Sequence, residues 1–446
     1  MALTQGQKAG WGLADMGIVV FVMIKQLLIL TFLTTVMGVP AAVAGAITTG
    51  VLVFDIVTDP LIGYFSDRTN TRWGRRAPWM FLGAIVMTLG CLGMFNAPQN
   101  PEGGLIWFAA MFVVATIGFT MLAIPYGATA AEMTQDPKER SAMVGWRMVF
   151  ASVGILIGGG VLPGLAAGMG YPTAMLISAP LIVLPIWASL WLTRRAPKTE
   201  APSTLSLGAA LRLVLSNPPF TWLVVLYGVM TLAVAMITAG LPLAALYLIN
   251  DAGSSALSGA ANGLGTMPLL FAGFVIGSIL SQAVWVMLSG RLGKTGALIL
   301  GLCLYMAVLA FLYTRLPSVN VTAMAGIFVL AGMTNGAYQQ IPWAMWPDLI
   351  DATRREQGGA VEGAFSAIWL FGQKVANALA PGLVGVILGA YGWQEATGGA
   401  VVEQGAGALQ ALRMTVTLVP IGIFVLSILG LLAIYRPRAR AVVARP

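Results

Sequence analysis

The sequence predicts an all-α polytopic membrane protein whose twelve transmembrane helices form two six-helix halves. Three observations carry that prediction. Of the 446 residues, 58% are apolar and 9% are charged, whereas soluble domains carry roughly 25% charged residues, so the surface must face a medium as apolar as the core. Apolar stretches of about 20 residues, long enough to cross a bilayer as helices, recur twelve times. The charges lie mainly in the short connections between those stretches.

Taken in order, the spans fall near 9–34, 39–65, 78–96, 104–130, 141–165, 172–193, 219–249, 263–289, 295–314, 319–346, 361–390 and 409–435. The polar lead MALTQGQKAGWG is too short, and the apolar run behind it too long, for a cleaved signal peptide. Several spans exceed 25 residues, as tilted helices or helices projecting past the lipid do. The 54 glycines suit helices packed closely in lipid.

With the N-terminus placed in the cytoplasm, 19 of the 24 Lys and Arg residues fall on the inner side. Only Arg315 and Arg413 fall outside, and Lys25, Arg147 and Lys374 lie within spans. The excess of positive charge in inner loops predicts that both termini are cytoplasmic, in the inner (plasma) membrane.

The longest polar connection contains RRAPKTEAPSTLS and joins spans six and seven. It divides the chain into an N-terminal half, 1–193, a cytoplasmic linker, 194–218, and a C-terminal half, 219–446. Span two ends in GYFSDRTNTRWGRRAP and its counterpart, span eight, in LSGRLGKTGAL. Both place small residues and basic charge at the same cytoplasmic turn. Two halves with such a repeat point to the major facilitator architecture.

Composition also excludes chemistries. Histidine is absent, which removes His-based triads, the H-E-x-x-H metal site and a His proton relay. Cys91 and Cys303 sit in separate apolar runs and read as buried, inert thiols rather than a metal or redox pair. No phosphate-binding G-x-x-x-x-G-K-[ST] occurs, so energy is expected from an ion gradient. The net charge of +8 belongs to membrane loops and implies no nucleic-acid partner. No cofactor or metal centre is expected beyond Na⁺ or H⁺ as a coupling ion.

An ionisable group at membrane depth costs at least about 2.5–3.5 kcal/mol, so each is a functional candidate. Six qualify: Asp15, Lys25, Asp55, Asp59, Arg147 and Lys374. Asp55 and Asp59 are spaced i,i+4 on one helix face. Two carboxylates that close repel unless a cation or proton lies between them, which suits a coupling-ion site. The alternative places Asp59, beside Pro60, in a helix-end turn paired with Arg72 or Arg75. Asp15, Arg147 and Lys374 come from three spans and are candidates for contacts to a polar solute, or for a buried ion lock between the halves. Lys25 points about 80° away from Asp15 around an ideal helix and either faces a cavity, as a further candidate for contact with the solute, or reaches the outer interface. Tyr126, Trp343, Trp346 and Trp369 are candidates for stacking on a sugar ring or packing between helices.

These residues carry a resemblance. FDIVTDPLIGYFSDRTNTRWGRRAPW (Phe54 to Trp79), YGATAAEMTQDPKERSAMVGWR (Tyr126 to Arg147) and PDLIDATRREQGGAVEGAFSAIWLFGQK (Pro347 to Lys374) resemble the glycoside–pentoside–hexuronide:cation symporters, the group of the melibiose carrier. The resemblance implies that Asp55 and Asp59 bind the coupling Na⁺ or H⁺. It also implies that Asp15 and Arg147 contact the sugar, and that Lys374 belongs to the central polar network. Glu132, Arg140, Asp348, Asp351 and Glu362 resemble the charged motifs that help close the cytoplasmic side. One departure stands out: where melibiose-type members carry an aspartate before Ile-Pro in span four, this chain has Ala123.

The implied function is secondary active transport of a sugar or sugar-like solute with a cation by alternating access. With one cation or proton at Asp55/Asp59, the deep charges sum to about +1, which extends the solute class to anions such as a uronide, a sulfonated sugar or a lipid-like phosphate. The alternatives are a lysolipid or lipid transporter, or a pigment-delivery or assembly factor on the same scaffold. An enzyme is not expected. The partners expected are a small-molecule glycoside-like solute and the bilayer, with the protein itself a monomer.

Overall fold

The computed structural model describes residues 3–98, 101–134, 136–196, 217–357 and 362–438. Among them, helices account for nearly all regular structure, with isolated bridges at Met37–Thr397 and Ile249–Ser318. Twelve helices among the described residues are long and apolar enough to cross a membrane: Gln5–Thr35, Ala41–Ser66, Ala77–Phe95, Gly103–Ala130, Ala142–Met169, Tyr171–Thr193, Pro218–Tyr247, Thr266–Leu292, Lys294–Arg315, Val321–Met345, Ile368–Ala390 and Ala406–Arg438. They follow the hydropathy reading span for span, and are numbered one to twelve below.

Local chemistry sets several boundaries. Span one begins at a capping box: the Thr4 hydroxyl accepts from the Gln7 amide at 3.2 Å while Gln7 Oε1 accepts from the Thr4 amide at 3.0 Å. That cap satisfies donors the first turn would leave open and starts the helix four residues earlier than hydropathy suggests. Span seven starts with Asn217 accepting from the Phe220 amide at 3.1 Å, followed by Pro218. Span ten continues as a helix to Gln357. Span twelve, expected to be continuous, is interrupted at Val416 and Thr417 between helices Ala406–Thr415 and Leu418–Gly430.

Among the described residues, three five-residue wide turns of i→i+5 type interrupt the helices, at Ile24–Leu28, Ile157–Val161 and Leu431–Tyr435. Such turns often accompany functional positions. The first carries Lys25.

The chain divides into two units, Met1–Ser203 with Glu395–Val402, and Thr204–Gln394 with Glu403–Pro446. In the first, span one packs on spans five and six, and span four packs on spans two and three. The approach of span one to span five is close. A Cβ on Gly12 would lie 2.7 Å from the Arg147 amide nitrogen, and one on Gly154 would lie 2.5 Å from the Met16 carbonyl oxygen. Glycine at these two positions lets the backbones meet, which sets Asp15 and Arg147 side by side. The 395–402 segment joins this unit at the end of span one, where the Ala396 and Gly398 amides donate to the Thr34 and Val36 carbonyls at 2.9 and 2.8 Å.

In the second unit, span ten packs on spans eight and nine, and span seven on span eleven. Its core gathers Phe220, Tyr227, Tyr305, Tyr338, Phe365, Trp369 and Phe424. The expectation of two buried thiols holds only for Cys91; Cys303 is exposed. In a membrane protein the outer face is as apolar as the core, so a thiol in an apolar run has two places to go.

Candidate functional site

Among the described residues, the first unit holds two ion pairs inside its spans. In one, Arg147 Nε lies 3.0 Å from Asp15 Oδ2, the aspartate side chain 4% exposed and the arginine side chain 40% exposed. Beneath the guanidinium, at 5.7 Å from its central carbon, is the Tyr126 ring, which stacks on Trp11 at 4.8 Å. Trp11 Nε1 donates to Thr129 at 3.0 Å and so fixes the indole. Asp15 Oδ1 and the Tyr126 hydroxyl are buried with no hydrogen-bond partner among the described residues. Acceptor and donor capacity therefore lies beside a partly exposed arginine side chain, over aromatic faces. That chemistry suits a ligand with hydroxyl or carboxylate groups on a ring.

In the other pair, Lys25 Nζ lies 3.7 Å from Asp55 Oδ2, with side-chain exposures of 8% and 4%. The Thr120 hydroxyl donates to Asp55 Oδ1 at 2.6 Å. The ammonium lies 4.1 Å from the Phe119 ring centroid and 5.0 Å from that of Phe21. Lys25, left by the sequence between a cavity and the outer interface, is buried on Asp55. Asp59 follows one turn later and is half-buried. Arg75, one candidate partner for Asp59, instead lies on Glu132.

In the second unit, Trp343 Nε1 donates to the Tyr227 hydroxyl at 3.0 Å, and Gln373 Nε2 reaches the same oxygen at 3.4 Å. Tyr227 stacks on Trp369 at 4.3 Å, and the Tyr338 hydroxyl donates to Thr231 at 2.8 Å. Trp343 is 40% exposed. Lys374 is half-buried on the same helix as Trp369 and Gln373. Trp369 belongs to the packed core rather than to an open face.

At the end of the first unit rich in loop arginines, Glu132 Oε1 accepts from Arg75 at 2.9 Å and from Arg76 at 3.1 Å, and Arg76 also donates to Ser66 at 2.9 Å. Glu139 takes the Thr134 hydroxyl at 2.7 Å, the Leu3 amide at 2.8 Å and Lys8 at 3.3 Å. The Thr134 hydroxyl, then the Leu3 amide and Lys8, hold its carboxyl below the usual glutamate range. A cavity of about 960 Å³ opens beside these groups, bordered by Trp11, Arg72, Trp73, Glu132, Trp187 and Arg194. The side chains of Arg140, Trp346, Asp348, Asp351 and Glu362 lie outside the described residues.

The sequence reading missed Thr120, Phe119, Tyr227, Gln373 and Glu139. Thr116 and Thr120 form an i,i+4 polar pair on span four, a signal that this face turns toward another polar group. Span four thus meets Asp55 through Thr120, three residues before Ala123.

Comparison with known proteins gives a family and a fold. The family described as MFS/sugar transport protein matches residues 10–437. A putative glycoside/cation symporter of Escherichia coli is 26% identical, covering 86% of this chain and 83% of the relative. A glucuronide carrier protein homolog of Escherichia coli is 24% identical over 94% of this chain and 90% of its own. The solved nucleoside transporter NupG superposes with a TM-score of 0.65 at 12% identity, covering 97% of this chain and 100% of that one.

Proposed function

The chain belongs to the MFS/sugar transport protein family, and from that premise we propose that it is a symporter of a sugar or sugar-like solute, neutral or anionic, with a cation. It is a multi-pass membrane transporter, not an enzyme. In our reading, alternating access of the halves 1–193 and 219–446 about the linker 194–218 carries the solute across the inner membrane, with both termini cytoplasmic and the protein a monomer.

The observation that carries this reading is the Asp15–Arg147 pair with its partly exposed arginine side chain, unsatisfied carboxylate oxygen and aromatic floor. A pair serving only as a structural lock has no need of the 40% exposure of Arg147. Asp15, Arg147 and Tyr126 are assigned to the solute in the first half, and Lys374 and Trp343 in the second. Asp55 and Asp59 serve the coupling ion, with Lys25 on Asp55 rather than on the solute. Glu132, Arg140, Asp348, Asp351 and Glu362 are assigned to closure of the cytoplasmic side. Relatives named for glycosides and glucuronides support the solute class.

The test is counterflow in proteoliposomes, with a labelled methyl glucuronide and a labelled methyl glycoside as probes. The reading expects exchange of at least one, lost in Asp15→Asn. Movement of a lysolipid but of neither glycoside contradicts it, as does co-purification with a pigment and no exchange.

A further inference from the structure

We propose that Lys25 is the resident cation of the Asp55 site, an ammonium supplied by the protein's own first span in place of a free alkali ion, so that transport is independent of Na⁺ and Li⁺. The inference rests on the reading of Asp55 and Asp59 as the coupling-ion carboxylates, and narrows it by excluding alkali ions.

Both Asp55 oxygens are engaged, Oδ2 by the Lys25 ammonium at 3.7 Å and Oδ1 by the Thr120 hydroxyl at 2.6 Å. The surroundings of the ammonium favour an organic cation over a metal ion. The Phe119 and Phe21 rings lie 4.1 and 5.0 Å from Nζ. Ring faces attract a cation through their quadrupole but supply none of the oxygen ligands a hard metal ion requires. With both charged side chains less than a tenth exposed, water is a poor substitute for those oxygens.

The tether adds a further advantage. An ammonium fixed on the adjacent helix competes as an intramolecular partner, at an effective concentration that does not fall when the bulk salt is diluted. A second cation seated on Asp55 about 4 Å from that ammonium would be repelled by about a thousandfold in affinity at the effective dielectric of a protein interior.

The backbone explains how Lys25 reaches this position. It is the second residue of the wide turn Ile24–Leu28, which departs from the ideal 100° step, so its direction could not be read from helical spacing. The turn and the buried lysine occur together at the carboxylate that the coupling-ion reading requires to be open.

The test uses the full-length protein, purified and in proteoliposomes, with NaCl, LiCl and choline chloride at equal ionic strength. For the wild type, the proposal expects the same melting temperature in all three salts and the same half-saturating concentration for methyl glucuronide counterflow. Lys25→Ala empties the seat. In that variant Na⁺ should raise the melting temperature by about 2 °C or more and lower the half-saturating solute concentration by about fivefold or more. A Na⁺ or Li⁺ response in the wild type overturns the proposal, as does a folded Lys25→Ala without one. If Lys25→Ala does not fold, Lys25→Arg decides together with the wild type: both must be insensitive to Na⁺, and a response in either is contradictory. Absence of counterflow by any glycoside in every salt defeats the solute assignment instead, and the melting comparison then decides on Lys25.

Discussion

Arg147 Nε stands 3.0 Å from Asp15 Oδ2, and the two groups meet because Gly12 lets the backbone of span one approach that of span five. One partner is buried and the other 40% exposed, so the arginine can turn to a ligand while its anchor stays in place. Asp15→Asn and Arg147→Gln are each expected to raise the half-saturating solute concentration by roughly 30-fold or more, since removing one member of a buried charge pair costs about 2–5 kcal/mol. Counterflow across solute concentrations measures it. An unchanged affinity with a lowered melting temperature would make the pair a lock only.

Gly12→Val tests the geometry rather than the charge. A Cβ at this position falls 2.7 Å from the Arg147 amide nitrogen, with Trp146 backbone at 2.8 Å. Overpacking of this kind costs roughly 1–3 kcal/mol, and relief requires the helices to separate and the ion pair to lengthen. The expected result is a lower melting temperature and lost solute binding, while Gly127→Ala, where a Cβ meets nothing within 4 Å, is neutral in stability.

Glu139, in the first turn of the helix Pro137–Leu156, ties that helix to the Leu3 amide and Lys8. Hydrogen bonds from Thr134 and Leu3, with Lys8 beside them, hold its carboxyl below the ordinary glutamate value. A lowered acid contributes stability that is complete above the unfolded value of about 4.3 and disappears as pH falls through the folded one. Hydrogen exchange at the Leu3 amide should therefore stay slow at neutral pH and quicken only below about pH 4.3, whereas Glu139→Gln is fast throughout. Protection that fades instead between neutrality and pH 5 would refute this tie.

Two arginines share Glu132, and they are not equivalent. Arg76 is 12% exposed and also donates to Ser66, while Arg75 is 29% exposed. Arg76→Ala should destabilise by about 1.5–3 kcal/mol, as loss of charged hydrogen bonds does, and Arg75→Ala by less. Thermal unfolding orders them, and equal or reversed losses would show that the Ser66 contact contributes nothing.

Tyr227 offers one oxygen to two donors, Trp343 at 3.0 Å and Gln373 at 3.4 Å. Tyr227→Phe strands both, at a cost of about 1–3 kcal/mol, and should shift the fluorescence of Trp343. A spectrum and melting temperature like the wild type's would mean that both donors find other acceptors.

The spans were legible because a twenty-residue apolar stretch has few places to go but a bilayer. Which face of each span is buried was not. In lipid both faces are apolar, so Cys303 turned outward and Cys91 inward from runs of the same character. The deep charges announced themselves by their cost, and Asp15, Arg147, Asp55 and Lys25 all lie in ion pairs. The pairing of Lys25 was not legible, because the wide turn at Ile24–Leu28 breaks the regular spacing from which its direction was read. Thr120 and Tyr227 went unnoticed because uncharged polar residues cost little in a helix that satisfies its own backbone.

The central claim, cation-linked movement of a sugar-class solute, is tested most directly by accumulation of labelled methyl glucuronide and methyl glycoside into proteoliposomes under an imposed H⁺ or Na⁺ gradient. Concentration of at least one solute above equilibration under the H⁺ gradient, collapsed by a protonophore and absent in Asp15→Asn, is the predicted result. Failure to concentrate either solute under both gradients, in vesicles that do move a lysolipid, would contradict it.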